Sequence, residues 1–228
     1  SFTIFENSMT VIYGPSGSGK STLLNILGGL QKPSTGTVTF MGQDIYKFSP
    51  EDLAHFRANE IGVVYQQSYW VSSLSVLENV AVPLSFLGYS RSQANKLAMD
   101  ALQRVDMAPY AKKSPLVLSG GEQQRVSMAR AIVHDPKYII ADEPTGSLDS
   151  KNGDMIMALL SSYKNDLNRT IIFVTHNIEY LPLADSLLHI KDGATTVMDN
   201  RDAVRSADTL IEEMKVRIKR LSQGQTYA

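Results

Sequence analysis

The chain has 228 residues, room for one sizeable core and at most a core plus a smaller lobe, and its 43% hydrophobic and 20% charged content excludes global disorder. A net charge of -1 leaves no electrostatic footprint for nucleic acid, so no nucleic-acid partner is expected, and the absence of cysteine excludes a disulfide framework and a thiolate metal site. No apolar run is long enough to cross a bilayer and the first residues do not read as a signal peptide, so any membrane role is expected to come through a partner.

Met9 to Tyr13 reads as a buried strand and Ser21 to Leu30 as a helix. Between them, Gly14-Pro15-Ser16-Gly17-Ser18-Gly19-Lys20-Ser21 fills the template G-x-x-x-x-G-K-[ST]. The glycines let successive backbone N–H groups turn toward a phosphate without Cβ clashes. Lys20 supplies a point charge to the β and γ oxygens, the Ser21 hydroxyl can reach Mg²⁺, and the anion sits at a helix N-terminus. ATP or GTP is the expected ligand.

Further along, Lys32 to Gly36 carries turn signals, Thr37 to Met41 alternates as a strand does, Pro50 to Ala58 reads as a short helix and Ile61 to Tyr65 as a buried strand. From Ser72 to about His134 the pattern is helical. Ala94, Leu97, Ala98, Ala101, Leu102 and Val105 form one stripe of a helix over Ser90 to Val105, and another helix spans about Gly121 to Val133. Strand character returns at Tyr138 to Ala141, Thr170 to Thr175 and Ser186 to Ile190, with a helix from about Asp154 to Leu167. Strands, a helical block and strands again imply an α/β core interrupted by a helical insertion.

Tyr138-Ile139-Ile140-Ala141-Asp142-Glu143 ends a buried strand in two adjacent carboxylates, at the edge of an open α/β sheet where ligand crevices form. Asp142 is placed to hold Mg²⁺ through water and Glu143 to orient or deprotonate an attacking water. Alone, the pair also fits an acidic turn; beside the glycine loop that explanation is poor. Leu118-Ser119-Gly120-Gly121-Glu122-Gln123-Gln124-Arg125 is a second glycine-rich turn opening a helix. It has no lysine and no preceding strand, yet offers a hydroxyl, bare N–H groups and a positive helix end to a phosphate.

Leu118 to Arg125 resembles the signature motif of ATP-binding-cassette ATPases. Other motifs of that family fall in order: Gln66 after Ile61 to Tyr65 resembles the Q-loop, Ser147-Leu148-Asp149 the D-loop, and His176 after Thr170 to Thr175 the switch histidine. The resemblance implies a P-loop NTPase (RecA-like) core over about 1–72 and 135–200, a helical subdomain over about 73–134 and a C-terminal helix over about 202–223. It also implies a head-to-tail dimer closing on two ATP molecules. Gly17, Gly19, Lys20, Ser21 and Thr22 of one subunit would bind phosphates, and Ser119 with Gly120 and Gly121 of the other would cap the γ-phosphate. Gln66 would touch Mg²⁺ and sense the transport partner, His176 would contact the γ-phosphate, and Asp149 would link the two sites.

Lys20 and Leu118 are only about a hundred residues apart, and the chain holds one such cassette, which argues against the chromosome-type and ribosome-associated branches. A transporter subunit on the cytoplasmic face remains, its membrane permease docking near Gln66 to Leu77. Glu78 to Leu84 and Ala141 to Asp149 are similar to the lipoprotein-release, macrolide-efflux and cell-division ATPases, with amino-acid importers as the alternative. A nucleotide-gated assembly subunit with little turnover is the competing class, disfavoured by the presence of both Glu143 and His176.

The family pattern also implies an N-terminal strand and an adenine-stacking aromatic upstream of Gly14. The strand is expected to be missing here, with adenine held in some other way. Phe2 and Phe5 are the nearest aromatics, and their alternation with Ile4 reads as strand core. Tyr69 and Trp70 fit either a permease anchor or packing on the helical lobe. Ala207, Leu210, Ile211, Met214, Ile218 and Leu221 recur at helical spacing, as a dimer or regulatory contact or as a stripe docked on its own domain.

Overall fold

A computed structural model describes residues 1–146, 148–191 and 193–199; the expected C-terminal helix and Ser147 lie outside them. The elements in order are β1 (Met9–Tyr13), α1 (Lys20–Leu27), β2 (Thr39–Phe40), β3 (Gln43–Asp44), α2 (Pro50–Glu60), β4 (Ile61–Val64), α3 (Val76–Phe86), α4 (Arg91–Arg104), α5 (Gly120–Ile132), β5 (Tyr138–Asp142), α6 (Ser150–Leu167), β6 (Thr170–Val174), β7 (Ser186–Lys191) and β8 (Ala194–Asp199). The main sheet runs β4-β5-β6-β1-β7-β8, parallel except for the antiparallel β7–β8 pair, and β2–β3 form a separate antiparallel ribbon.

Period-two alternation divides the strands between two cores. Met9, Val11, Ile139, Ala141, Ile171 and Phe173 face α5 and α6, burying Met128, Ile132, Ile156 and Leu160. Ile12, Ile140, Ile172 and Val174 point the other way, onto Leu24 and Leu27 of α1. A third core lies among α3, α4 and α5, where Val80, Leu84, Ala98 and Leu102 meet Val126 and Ala129. Helix α5 therefore carries two apolar faces, one on the sheet and one on the helices.

Several boundaries differ from the sequence reading for local reasons. Helix α1 stops at Leu27, because Gly28 and Gly29 follow and Gly29 takes φ 68°. Helix α6 starts four residues earlier than periodicity indicated, since the Asp149 carboxylate accepts the Asn152 N–H and nucleates the first turn. The stretch Thr37 to Met41 pairs over two residues only, and β8 was missed because its sequence carries no apolar alternation, Ala194 to Val197 being exposed. No strand precedes β1 among the described residues. Phe2 and Ile4 pack partly buried against the α1 side of the sheet while Phe5 stays 68% exposed, an alternation of burial in residues that pair with no strand.

Candidate nucleotide site

The chemistry-bearing residues gather at the carboxyl ends of four adjacent parallel strands. Pairing of Ile12 with Val174, of Asp142 with Val174 and of Val64 with Ala141 sets β1, β6, β5 and β4 level at that edge. Gly14, His176, Glu143 and Gln66 each follow within two residues of those ends, as the crevice rule for open α/β sheets requires.

The loop after β1 is shaped by close approach. At Gly14, φ is 154° and a Cβ would fall 2.1 Å from the Ile190 carbonyl oxygen, so the chain can pass β7 only as glycine. Gly17 and Gly19 adopt φ 77° and 97° with nothing within 4 Å of an added Cβ. Pro15 and Ser16 are exposed at the loop tip, and the Ser18 N–H closes the turn onto the Pro15 carbonyl. No side chain caps α1, which leaves its first-turn N–H groups facing outward for an anion. Ser21 and Thr22 sit exposed in that turn. The Lys20 ammonium is buried and donates to the Gly14 and Pro15 carbonyls at 3.0 and 2.8 Å, which holds it across the loop.

Ser18 Oγ within this loop and Asp142 Oδ1 at the end of β5 are buried without a hydrogen-bond partner. An orphaned buried polar atom is costly. Glycines that leave an open cradle, an uncapped helix start, a buried ammonium and an unsatisfied carboxylate oxygen together fit a phosphate and its divalent cation.

Glu143 is the most unusual residue of the site. It takes φ 49°, rare for a side chain of its size, and is held there by its own N–H bonded to the Val174 carbonyl and by Gly146 N–H on its carbonyl. Its side chain is only 6% exposed, and burial pushes the carboxyl above its ordinary value, against the lowering pull of His176 and Lys20. Oε1 lies 2.9 Å from His176 Nδ1, an ion-pair distance, though it accepts no hydrogen bond of good angle. His176 itself is 64% exposed, and the loop that carries it is fixed by Asn177 N–H on the Thr175 hydroxyl.

Gln66 is exposed beyond β4 and makes no hydrogen bond among the described residues. The segment after it is anchored to α5. Arg130 donates to the Ser68 and Tyr69 carbonyls, its guanidinium lies 4.7 Å from the Trp70 ring centre, and the Trp70 indole donates to Gln123 at 2.7 Å. Trp70 is therefore a packing residue of the helical lobe, whereas Tyr69 is 68% exposed. The sequence reading missed Arg130; its signal, a cation inside the apolar stretch Val126 to Val133, is readable only with a partner in view.

Ser119 caps α5 in a capping box with Glu122, and Ser119 and Gly120 are exposed. No hydrogen bond among the described residues joins this turn to the Gly14–Thr22 loop. It is tied instead to Asp149, through Asn152.

The family model for ABC transporters matches residues 1–146. The chain belongs to the ABC transporter family. This cassette is an ATPase, 41% identical over 190 residues to a lipoprotein-releasing system ATP-binding protein LolD of Shewanella, covering 83% of the chain and 82% of that protein. It is 43% identical over 204 residues to a macrolide export ATP-binding/permease protein MacB of Chlorobaculum tepidum, which is 88% of the chain but 30% of that longer protein. A solved dimeric cassette, MJ0796, in a post-hydrolysis state bound to ADP and Pi, superposes with a TM-score of 0.81 at 38% identity, over 87% of this chain and 88% of that one. The α/β fold with its parallel sheet is that of these cassettes, and the cassette binds adenine nucleotide as a component of a membrane transporter. Among the described residues no helix is long and apolar enough to cross a membrane.

Proposed function

We propose that the cassette closes head to tail with a second copy on two Mg-ATP, at the cytoplasmic face of a membrane, and drives a permease of the mechanotransmission or efflux type. The carrying observation is the split placement of the phosphate-binding features. Lys20, Asp142, Glu143 and His176 converge at one sheet edge, while Ser119 and Gly120 are exposed and unconnected to that edge, free to meet another molecule's site. The branch rests on likeness to LolD and MacB.

In this reading Gly14 to Gly19 and the α1 N-terminus wrap the β-phosphate in N–H groups, and Lys20 turns from its loop carbonyls to the γ-phosphate. Ser21, Asp142 and Gln66 are the residues that would hold Mg²⁺, which neutralises charge on the phosphate oxygens when bound. Glu143 orients and deprotonates the attacking water: its raised carboxyl pKa makes it a better base, and its left-handed backbone aims it into the crevice. His176 holds Glu143 and faces the γ-phosphate. Asp149 links the paired sites.

For the permease, a groove of about 480 Å³ runs between α2, β4 and the end of α3, lined by Leu30, His55, Arg57, Ile61, Tyr65 and Phe86. It flanks the expected stretch Gln66 to Leu77 without being lined by it. An amphipathic coupling helix of a membrane subunit suits its apolar floor and single arginine.

The head-to-tail arrangement is tested with Ser119→Arg. Alone, this variant should bind a fluorescent ATP analogue as the parent does; placed on Glu143→Gln, it should abolish the Mg-ATP-dependent dimer seen by light scattering. Equal loss of monomer binding in Ser119→Arg and Lys20→Ala would put both glycine motifs in one intrachain site.

A further inference from the structure

Asn152, which no motif of the chain includes, commits both ends of its side-chain amide: one to Asp149, which the proposed function uses, and one to Arg125 of α5. Its backbone N–H donates to Asp149 Oδ1 at 2.8 Å and its Nδ2 to Asp149 Oδ2 at 2.9 Å. On the opposite side its Oδ1 accepts from Arg125 Nη1 at 3.0 Å, the one hydrogen bond Arg125 makes among the described residues. Beneath it lies Gly121, where an added Cβ would fall 2.8 Å from the Asn152 Cγ. A reversed amide would set N–H₂ against the guanidinium and oxygen against the carboxylate, so the partners dictate one orientation.

We propose that Asn152 is a positioning residue that joins the start of α5, through Arg125 in its second turn and Gly121 in the first turn that bears Ser119, to the Asp149 carboxylate. The two groups that face the second copy then move as one surface. The inference rests on the head-to-tail reading for its consequence, though the join itself is a property of the single chain. The same contacts keep Asp149 charged: the Asn152 backbone and side-chain N–H groups hold its carboxyl below the ordinary value. Glycine at 121 is explained too, since a side chain there would displace the Asn152 amide. No hydrogen bond among the described residues runs from Asn152 to the Gly14–Thr22 loop, so the residue acts on assembly and turnover and leaves nucleotide capture alone.

The test uses the full chain with Asn152→Asp, which keeps shape and the Arg125 acceptor but sets a carboxylate against Asp149, and Asn152→Leu, which removes both ends at similar volume. Amide hydrogen exchange reads the join in the monomer: Glu122 and Gln123 in α5 should exchange at least about tenfold faster in Asn152→Leu, and the residue 152 amide in α6 should do so in both variants. Unchanged protection of α5 in Asn152→Leu overturns the inference. Fluorescent-nucleotide affinity and KM for ATP should stay within about twofold of the parent while kcat falls about tenfold. On a Glu143→Gln background, either variant should need at least about tenfold more Mg-ATP to form the dimer. A variant that dimerises as readily as Glu143→Gln alone refutes the positioning role. Absence of any dimer in Glu143→Gln itself would remove the head-to-tail reading, and the exchange data would still decide the join. Should Asn152→Leu fail to fold, Asn152→Ala, which also removes both ends of the amide, carries the α5 exchange arm and the near-isosteric Asn152→Asp the others.

Discussion

Glu143 shows how a residue can be costly to the fold and useful to the site. A left-handed backbone in a non-glycine residue stores roughly 1–3 kcal/mol, and burial of the carboxyl adds an electrostatic penalty whenever it is ionised. Because its folded pKa is raised, the native state binds the extra proton between the ordinary carboxylate value of 4.5 and the raised one. Stability therefore falls as pH climbs through that window and is lowest above it. Glu143→Gln removes the titration while keeping the volume. Its melting temperature should exceed the parent's at neutral pH and approach it as pH drops toward 4.5, while ATP hydrolysis falls roughly 10²–10⁴-fold. A gap in melting temperature that does not change with pH would mean the carboxyl is not desolvated as described.

Helix α5 is the element on which most of the site depends. Its first turn presents Ser119 and Gly120, its middle holds Gln123 against Trp70 and Arg125 against Asn152, and Arg130 near its end pins the segment after Gln66. That position is permitted by Gly62 in β4, where an added Cβ would sit 2.2 Å from the Ala131 carbonyl oxygen and 2.8 Å from Pro136 Cγ. Backbone cannot yield as a flexible side chain can. Gly62→Ala should cost about 1–3 kcal/mol in urea unfolding, with some loss of turnover as α5 is pushed from the sheet. An unfolding midpoint equal to the parent's would show that β4 and α5 can separate freely. Capping boxes start α3, α4 and α5, Ser75 with Glu78, Ser90 with Gln93 and Ser119 with Glu122, and the sequence reading did not use them. The start of α6 has no such box: Asp149 accepts the Asn152 N–H, and Asn152, standing where glutamate would return a bond to the N-cap backbone, donates to the Asp149 carboxylate instead.

Across the whole molecule, the sheet with its two faces and the cluster of α3, α4 and α5 divide the apolar residues into three cores, two of which share α5 and Leu159. Phe86, at the end of α3, is left 77% exposed over the groove. An exposed substitution there should cost little stability, within about 0.5 kcal/mol. Phe86→Asp should thus leave the isolated chain's ATPase rate unchanged and reduce co-purification of its membrane subunit; undiminished recovery of that subunit would move the docking site elsewhere. The α/β class, the phosphate loop and the carboxylate pair were legible in the sequence alone, because glycine spacing, strand alternation and two carboxylates ending an apolar run are local patterns with local causes; Gln66, Ser119, Asp149 and His176 were given their roles only by family resemblance. The tertiary structure decided the rest: that Trp70 packs inward while Tyr69 does not, that Arg130 holds the segment after Gln66, and that Asn152 stands between Arg125 and Asp149. Those contacts join residues distant in the chain, and they exist only once α5 has found its place against both the sheet and α6.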